Sequence, residues 1–249
     1  MSQATYEKLR ALRLPAMAEA YMDQMNDPAM QQLSFAERMA FLTDAEWSKR
    51  KSNRLQRLIA TARFDQPNAH IAEIDFSPRR ELNRDLVLKL ASCDFIQDTR
   101  NIVIMGAAGT GKSYLACALG MEACRRSYSV RFIRMTELIE QMSLAKAEGG
   151  IIRCYKEFSK VDLLIIDDWM LTKITPEGAT LAFEIVHRRH KKRSTVFCSQ
   201  FLPAGWHLRI PEETLADAIL DRIVYDSYQI QLRNTEDMPS MRQLHGIHL

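Results

Sequence analysis

The spacing of apolar residues divides the chain into two parts. Up to about residue 65, apolar side chains recur every three or four positions, which is the period of amphipathic helices. From residue 101 onward, short apolar runs alternate with segments of helical period. Parallel strands need a crossover between them, usually a helix, so this alternation predicts an α/β domain whose parallel sheet is covered by helices on both faces.

The first part predicts a small all-α domain over residues 1–65. One or two short helices interrupted near Pro15 are expected, and Asn26-Asp27-Pro28 is typical of a turn. Ser34-Phe35-Ala36-Glu37 has the pattern of a capping box, and the helix that it begins meets no glycine or proline before about Phe64.

The second part predicts a linker and then the α/β domain. Residues 66–80 contain two prolines and are typical of a connection between domains. A helix around residues 82–90 then leads into the first strand of the larger domain, residues 81–249. The expected strands are residues 102–105, 129–134, 161–168, 195–199 and 228–232, and further helices are expected to begin near residues 136, 175 and 212.

Composition restricts the class of protein. The chain has 249 residues, 47% of them hydrophobic and 26% charged, as in ordinary globular proteins, and its net charge of +3 does not by itself indicate nucleic acid. Five cysteines without a C-x-x-C pair favour a reduced, cytoplasmic protein without disulfides or a zinc site. We expect no membrane span and no signal peptide, because no apolar run is long enough and the N-terminus lacks a hydrophobic core.

The strongest chemical signal follows the first expected strand. Gly106-Ala107-Ala108-Gly109-Thr110-Gly111-Lys112-Ser113 fits the spacing G-x-x-x-x-G-K-[ST] at every fixed position, between a strand and a helix. Glycines let the backbone approach phosphate groups, and the amides of the loop and of the helix start then point at the anion. Lys112 is expected to bind the outer phosphates and the Ser113 hydroxyl to bind Mg2+. A turn that matches by chance is the weaker alternative, because the strand and the helix are both in place.

Two carboxylates end the strand expected at residues 161–168. Asp167 is expected to support Mg2+ beside the phosphate loop, and Asp168 to orient or deprotonate the attacking water. The alternative is that both carboxylates only cap the strand end. No Asn-Lys-x-Asp stretch occurs, which disfavours a guanine-specific GTPase, whereas a small-molecule kinase is harder to exclude.

A basic stretch lies late in the long N-terminal helix. Residues 48–63 carry six basic side chains and no acidic one, and Arg50, Arg54 and Arg57 share a helix face. Such a stripe suits the phosphates of DNA or RNA, and a solvated helix surface is the alternative. The basic cluster at residues 188–193 has a structural interpretation as cations at a helix C-terminus, and a contact with DNA is the weaker alternative. The candidate DNA-binding residues are Lys49, Arg50, Lys51, Arg54 and Arg57.

Four segments together resemble the IstB-type ATP-binding proteins of insertion sequences. They are Gly106–Ser113, Asp162–Asp168, Ser194–Gln200 and Ala218–Arg222, and the likeness covers nearly the whole chain. These proteins are AAA+ ATPases of the DnaA and DnaC clade, so the resemblance implies an AAA+ fold after a helical N-terminal domain. It also implies ATP and Mg2+ as cofactors, duplex DNA and a cognate DDE transposase as partners, and homo-oligomers that share ATP across their interfaces.

The resemblance assigns roles by position. Gln200 falls where the family has a sensor of the γ-phosphate, and Arg222 where it has an arginine finger that reaches a neighbouring subunit's ATP. Arg242 lies near a second sensor arginine, and Tyr114 ends the phosphate-binding segment. Two positions depart from the wider AAA+ pattern, because Asp168 replaces glutamate and Gln200 replaces asparagine. The shorter carboxylate implies slow hydrolysis, which suits a switch.

Several classes of function stay open. The first is an oligomeric, DNA-binding ATPase that recruits or stimulates a transposase, with hydrolysis as the switch. The others are a helicase loader of the DnaC type, a monomeric small-molecule kinase and a non-catalytic nucleotide-binding scaffold. The role of Arg222 distinguishes some of these classes, because an arginine finger requires an oligomer and a surface ion pair with Asp221 does not.

Overall fold

The computed structural model describes residues 2–77 and 82–233. The chain divides into two compact units, residues 1–57 and 58–249. This division falls earlier than the boundary expected at residue 65, because the last turns of the long N-terminal helix belong to the second unit. No described helix is both long and apolar enough to cross a membrane.

The first unit is helical, as its apolar period predicts. Pro15 stands in the first turn of the second helix, where proline is tolerated, so the expected interruption is a helix start. The capping box is present: the carboxylate of Glu37 accepts a hydrogen bond from the backbone N–H of Ser34 at 2.8 Å, and Ser34 Oγ accepts one from Glu37 at 3.3 Å. The elements are α1 (Ser2–Ala11), α2 (Pro15–Asn26), a 3-10 turn (Pro28–Gln32) and α3 (Phe35–Ala62), which runs on into the second unit.

Glu46 of α3 ties the helices of the first unit together. Its carboxylate accepts hydrogen bonds from the backbone N–H groups of Ala16 and Met17, at 3.0 and 3.2 Å, where α2 forms no side-chain cap of its own. Arg50 Nε donates to the same carboxylate at 2.7 Å, and a second nitrogen of Arg50 donates to the carbonyl of Arg13 at 2.7 Å. A carboxylate of one helix thus accepts hydrogen bonds from the N-terminal N–H groups of another.

The second unit contains a five-stranded sheet in the order β2-β3-β4-β1-β5, and every neighbouring pair is parallel. The strands are β1 (Asn101–Met105), β2 (Val130–Arg134), β3 (Leu163–Asp167), β4 (Ser194–Ser199) and β5 (Ser227–Gln231). The helices are α4 (Arg84–Ala91), α5 (Asp94–Gln97), α6 (Lys112–Arg125), α7 (Met135–Ala147), α8 (Ile151–Lys160), α9 (Pro176–Arg189), α10 (Pro203–His207) and α11 (Glu213–Val224).

Helices cover both faces of the sheet, as expected. Helix α6 packs on one face, where a Cβ on Gly120 would come within 2.9 Å of Ile165 of β3. Helices α7, α8, α9 and α11 share a core with the other face, which includes Val103, Ile166 and Phe197. Strands β1, β3 and β4 are buried almost throughout and read as apolar runs, and the sequence predicted all five strands to within two residues. It did not predict the helices α5, α8 and α10.

The described part of the expected linker, residues 66–77, belongs to the second unit. Ala69 and Ile71 are buried, and Ile71–Glu73 form a short 3-10 turn. This stretch is therefore ordered against the α/β domain.

Candidate nucleotide-binding site

The glycine-rich loop leaves β1 between its neighbours β4 and β5 and enters α6. Gly106 donates its backbone N–H to the carbonyl of Ser199, at the end of β4, at 3.1 Å. A Cβ on Gly106 would lie 2.5 Å from the carbonyl oxygen of Leu232, so only glycine fits there. Gly109 and Gly111 have φ angles of 78° and 92°, in the left-handed region that favours glycine. The loop thus presents a backbone surface without side chains at these three positions.

Positive charge is directed at this surface. Lys112 Nζ donates to the carbonyl of Ala107 at 2.8 Å, so the ammonium group lies over the loop. The Thr110 hydroxyl donates to the same carbonyl at 2.9 Å, which fixes the turn. Helix α6 begins at Lys112, so the positive end of its dipole also faces the loop. Ammonium, helix dipole and glycine backbone together fit a phosphate group.

Ser113 and Asp167 form the oxygen pair beside the loop. Ser113 Oγ donates to Asp167 Oδ2 at 2.7 Å, and Asp167 Oδ1 accepts from the backbone N–H of Asp168 at 2.9 Å. Burial raises the pKa of Asp167, while these two hydrogen bonds act in the opposite direction. A hydroxyl and a carboxylate are ligands that Mg2+ takes together with water and substrate phosphates, so the pair fits that ion. Within residues 2–77 and 82–233, no group of three His, Cys, Asp or Glu side chains could hold a metal.

Ser199 fixes the strand ends that carry Asp168 and Gln200. Its buried hydroxyl donates to the carbonyl of Trp169 at 2.9 Å and accepts from Trp206 Nε1 at 2.8 Å. Asp168 has a φ of 54°, which aspartate adopts more readily than most residues with a side chain. Asp168 and Gln200 are both half-buried and leave β3 and β4 at the edge of the sheet that carries the loop. No sequence motif pointed to Ser199, whose only signal is a polar residue at the end of a buried strand.

Tyr114 stands next to this site, but its hydroxyl points away from the phosphate loop. It donates to the carboxylate of Glu73 at 2.8 Å and accepts from the backbone N–H of His70 at 3.2 Å. Burial raises the pKa of Tyr114, so the hydroxyl keeps its proton at neutral pH. The side chain holds residues 70–73 against the first turn of α6.

Within the described part of the second unit, Arg222 is not brought together with the phosphate loop. Its carbonyl accepts from Asn101 Nδ2 at 3.4 Å, and Asn101 is the first residue of β1, whereas the loop follows the last. A strand of this length spans about 13 Å. One nitrogen of the Arg222 guanidinium donates to the carbonyl of Ala218 at 2.8 Å, and the guanidinium lies 5.1 Å from the ring centre of Phe183. Arg242 lies outside the described residues.

The basic clusters have several structural partners. The five candidate DNA-binding residues of α3 are exposed, and Arg50 among them binds Glu46 and Arg13. In the later cluster, the buried guanidinium of Arg189 donates to Thr195 Oγ1 and to the carbonyls of Phe158, Val161 and Ser194. Arg188 pairs with Glu184, and Arg193 pairs with Asp162. These three cations therefore have partners within the second unit.

The sheet order, the loop after β1 and the acidic end of β3 define a P-loop nucleotide-binding protein of the AAA+ class. The crystal structure of DnaI is similar, with a TM-score of 0.58 and 19% identity over 72% of this chain and 94% of that one. AMPPCP-bound DnaA from Aquifex aeolicus is similar with a TM-score of 0.56 and 21% identity, over 71% of this chain and 52% of that one. At these identities the likeness shows the fold.

The chain belongs to the family of IstB-like ATP binding proteins, whose family model matches residues 7–245. It is 36% identical over 232 residues to an insertion sequence ATP-binding protein of Sinorhizobium fredii, which covers 93% of this chain and 94% of that protein. It is 38% identical over 205 residues to the ATP-binding protein of insertion sequence IS1162 of Pseudomonas fluorescens, over 82% of this chain and 88% of that protein. Family membership indicates that the protein binds ATP.

Proposed function

We propose that the protein is a DNA-binding AAA+ ATPase that assembles on target DNA as an oligomer and recruits or stimulates a DDE transposase. The observation that carries this proposal is the Ser113–Asp167 pair beside the glycine loop, in a chain of the IstB-like family. ATP hydrolysis is the switch between assembly and release. The protein works in the cytoplasm.

The residues around the loop divide the chemistry among them. Lys112, with the backbone of residues 106–114, binds the phosphates of ATP. Ser113 and Asp167 would hold Mg2+, which supplies positive charge to the phosphates. Asp168 orients the attacking water and takes its proton, and Gln200 contacts the γ-phosphate or that water. Because Asp168 has one methylene fewer than glutamate, we expect slow hydrolysis.

Arg222 completes the site of a neighbouring subunit. Its backbone lies beside the amino end of β1, so its own phosphate loop is at the opposite edge of the sheet. A guanidinium supplied in trans stabilises charge that develops during phosphoryl transfer. Activity therefore depends on assembly, and Arg242 acts as a second nucleotide sensor.

The exposed cations of α3 bind the phosphates of duplex DNA. Lys49, Lys51, Arg54 and Arg57 lie on the surface of the helix, and Arg50 supports the fold of the first unit. Contacts of this kind release counterions, so DNA binding should weaken steeply with salt.

DNA retention with ATP, with ADP and without nucleotide tests the proposal. We expect retention on duplex DNA with ATP, a loss of at least about tenfold in affinity without it, and no ATP-dependent retention for Lys112→Ala. The purified cognate transposase should then bind the ATP-loaded complex. Equal retention in all three nucleotide conditions would show that ATP is not a switch for DNA binding.

A helicase loader is the second candidate, because the fold also resembles the DnaC helicase loader, with a TM-score of 0.55 and 16% identity over 67% of this chain and 97% of that one. Such a loader would bind a replicative helicase. Retention of a hexameric helicase together with failure to bind duplex DNA would favour this function over the first.

A further inference from the structure

One exposed strip of α3 combines a tryptophan with two cations. Trp47 is 71% exposed, although large aromatic side chains are normally buried. Lys51 and Arg54 follow at four and seven residues, which places them within about 40° of Trp47 around the helix and about 6 and 10 Å along it. All three side chains therefore emerge from the same side of α3.

The strip continues toward the N-terminus with small side chains. Ala36, Ala40 and Thr43 lie on the same side of the helix and are exposed. The Thr43 hydroxyl donates to the carbonyls of Met39 and Ala40, so it is engaged with the helix's own backbone. This half of the strip is narrow and uncharged, and Asp44, about 60° around the helix from Trp47, borders it with an exposed carboxylate.

Such an arrangement fits a DNA groove better than a solvated surface. From Ala36 to Arg54 the helix is about 27 Å long, which corresponds to about eight base pairs. The major groove admits a helix, small residues allow close approach to it, and cations at one end meet the phosphates that border it. An aromatic ring between the small and the basic residues is placed to make an apolar contact with base edges, such as the methyl group of thymine.

We propose that Trp47 contacts the bases of target DNA while Lys51 and Arg54 bind the adjoining phosphates. The inference rests on the proposed function, because it names the contact by which the first unit binds duplex DNA. It adds an apolar contact with the bases to a binding mode that the cations alone would make purely electrostatic.

The tryptophans of the chain give a selective optical measurement. The chain has three of them, and Trp169 and Trp206 are 1% and 0% exposed. Quenching of the emission by iodide should therefore report Trp47. We expect a saturating DNA duplex to change this emission and protect it from iodide, and Trp47→Phe, which leaves two buried tryptophans, to abolish both effects.

The affinity for DNA and its salt dependence distinguish the contribution of the Trp47 ring from that of the cations. Trp47→Ala should weaken binding to duplex DNA by about tenfold and leave the salt dependence unchanged, because a base contact releases no counterion. Lys51→Gln should reduce the slope of log K against log salt by about 1. Phe35→Ala is the matched control, since Phe35 is an exposed aromatic residue of the same helix, about 120° away from Trp47, and should have no effect.

The outcomes distinguish this inference from the proposed function. If the wild-type protein binds no duplex DNA with ATP, the proposed function fails. If it binds, and Lys51→Gln weakens binding while Trp47→Ala and the emission of Trp47 show no effect, the proposed function stands and the base contact is refuted. An emission change caused by the transposase and not by DNA would show a protein-docking surface and refute it equally.

Discussion

At the scale of single residues, the end of β3 depends on a backbone conformation that only certain side chains adopt readily. Asp168 has a left-handed backbone, with a φ of 54°, and its N–H donates to Asp167 Oδ1 at 2.9 Å. Asparagine tolerates this conformation about as well as aspartate, whereas longer residues adopt it less readily. The aspartate that replaces the glutamate of the wider AAA+ pattern is therefore suited to its backbone.

Substitution of Asp168 tests its role in hydrolysis. Asp168→Asn keeps the shape and the backbone conformation but cannot accept a proton, so we expect single-turnover hydrolysis to fall by about 10²- to 10⁴-fold. The affinity for a fluorescent ATP analogue should be unchanged, because Lys112 and the loop are intact. Hydrolysis at the wild-type rate in this variant would exclude Asp168 as the residue that activates water.

The residues that could be predicted from the sequence differ from those that could not in how close their partners lie along the chain. The glycines, Lys112 and Ser113 were found because a strand, a tight loop and a helix start require them within a few positions. Asp167 is 54 positions from Ser113, and the pair was predictable because parallel strands end at one edge. Ser199 was missed because its partners are set by packing between elements and not by spacing along the chain.

At the scale of elements, the first unit depends on a cap supplied from outside the capped helix. Helix α2 begins with proline after Leu14 and has no side-chain cap of its own, so the carboxylate of Glu46 takes its first N–H groups. The sequence predicted the interruption at Pro15 and the continuous α3, but no local pattern could show that these two elements meet at Glu46.

Glu46→Ala should destabilise the first unit by about 1–3 kcal/mol, because it leaves helix N–H groups and the Arg50 guanidinium without this acceptor. Hydrogen exchange of the α2 amides measures the loss directly. Glu19→Ala is the control, since Glu19 is an exposed residue of α2 and its removal should change stability by less than about 0.5 kcal/mol.

The same contact makes the stability of the first unit fall at acid pH. Arg50, bound to the carboxylate, lowers the pKa of Glu46 below its ordinary value of 4.5. A lowered pKa in the folded state means that the contribution to stability is complete above the unfolded value and is lost as the pH falls through the folded one. In Glu46→Gln the exchange of the α2 amides should lack this acid dependence; an identical dependence in both proteins would assign it to other carboxyls.

At the scale of the whole molecule, the two groups that we propose to form a shared catalytic site lie at opposite edges of one sheet. The phosphate loop, Asp167 and Asp168 lie where the strands end, and the backbone of Arg222 lies where β1 begins. The parallel order fixes this separation, because every strand runs in the same direction. A motif predicts the loop and the family resemblance implies the role of Arg222, but their separation follows only from the topology.

Mixing two inactive variants tests whether these two groups join between subunits. Arg222→Ala keeps an intact loop and Asp168, and Asp168→Asn keeps an intact Arg222, so both bind ATP and both can assemble. If the arginine acts in trans, random mixing at equal amounts makes about one interface in four competent, and ATPase activity should rise to about a quarter of the wild-type value. The control is a mixture of Lys112→Ala with Asp168→Asn. In that mixture no subunit has both a loop that binds ATP and an intact Asp168, so activity should not rise. If the first mixture stays as inactive as its separate components, or Arg222→Ala alone hydrolyses ATP at the wild-type rate, Arg222 does not complete a neighbour's site.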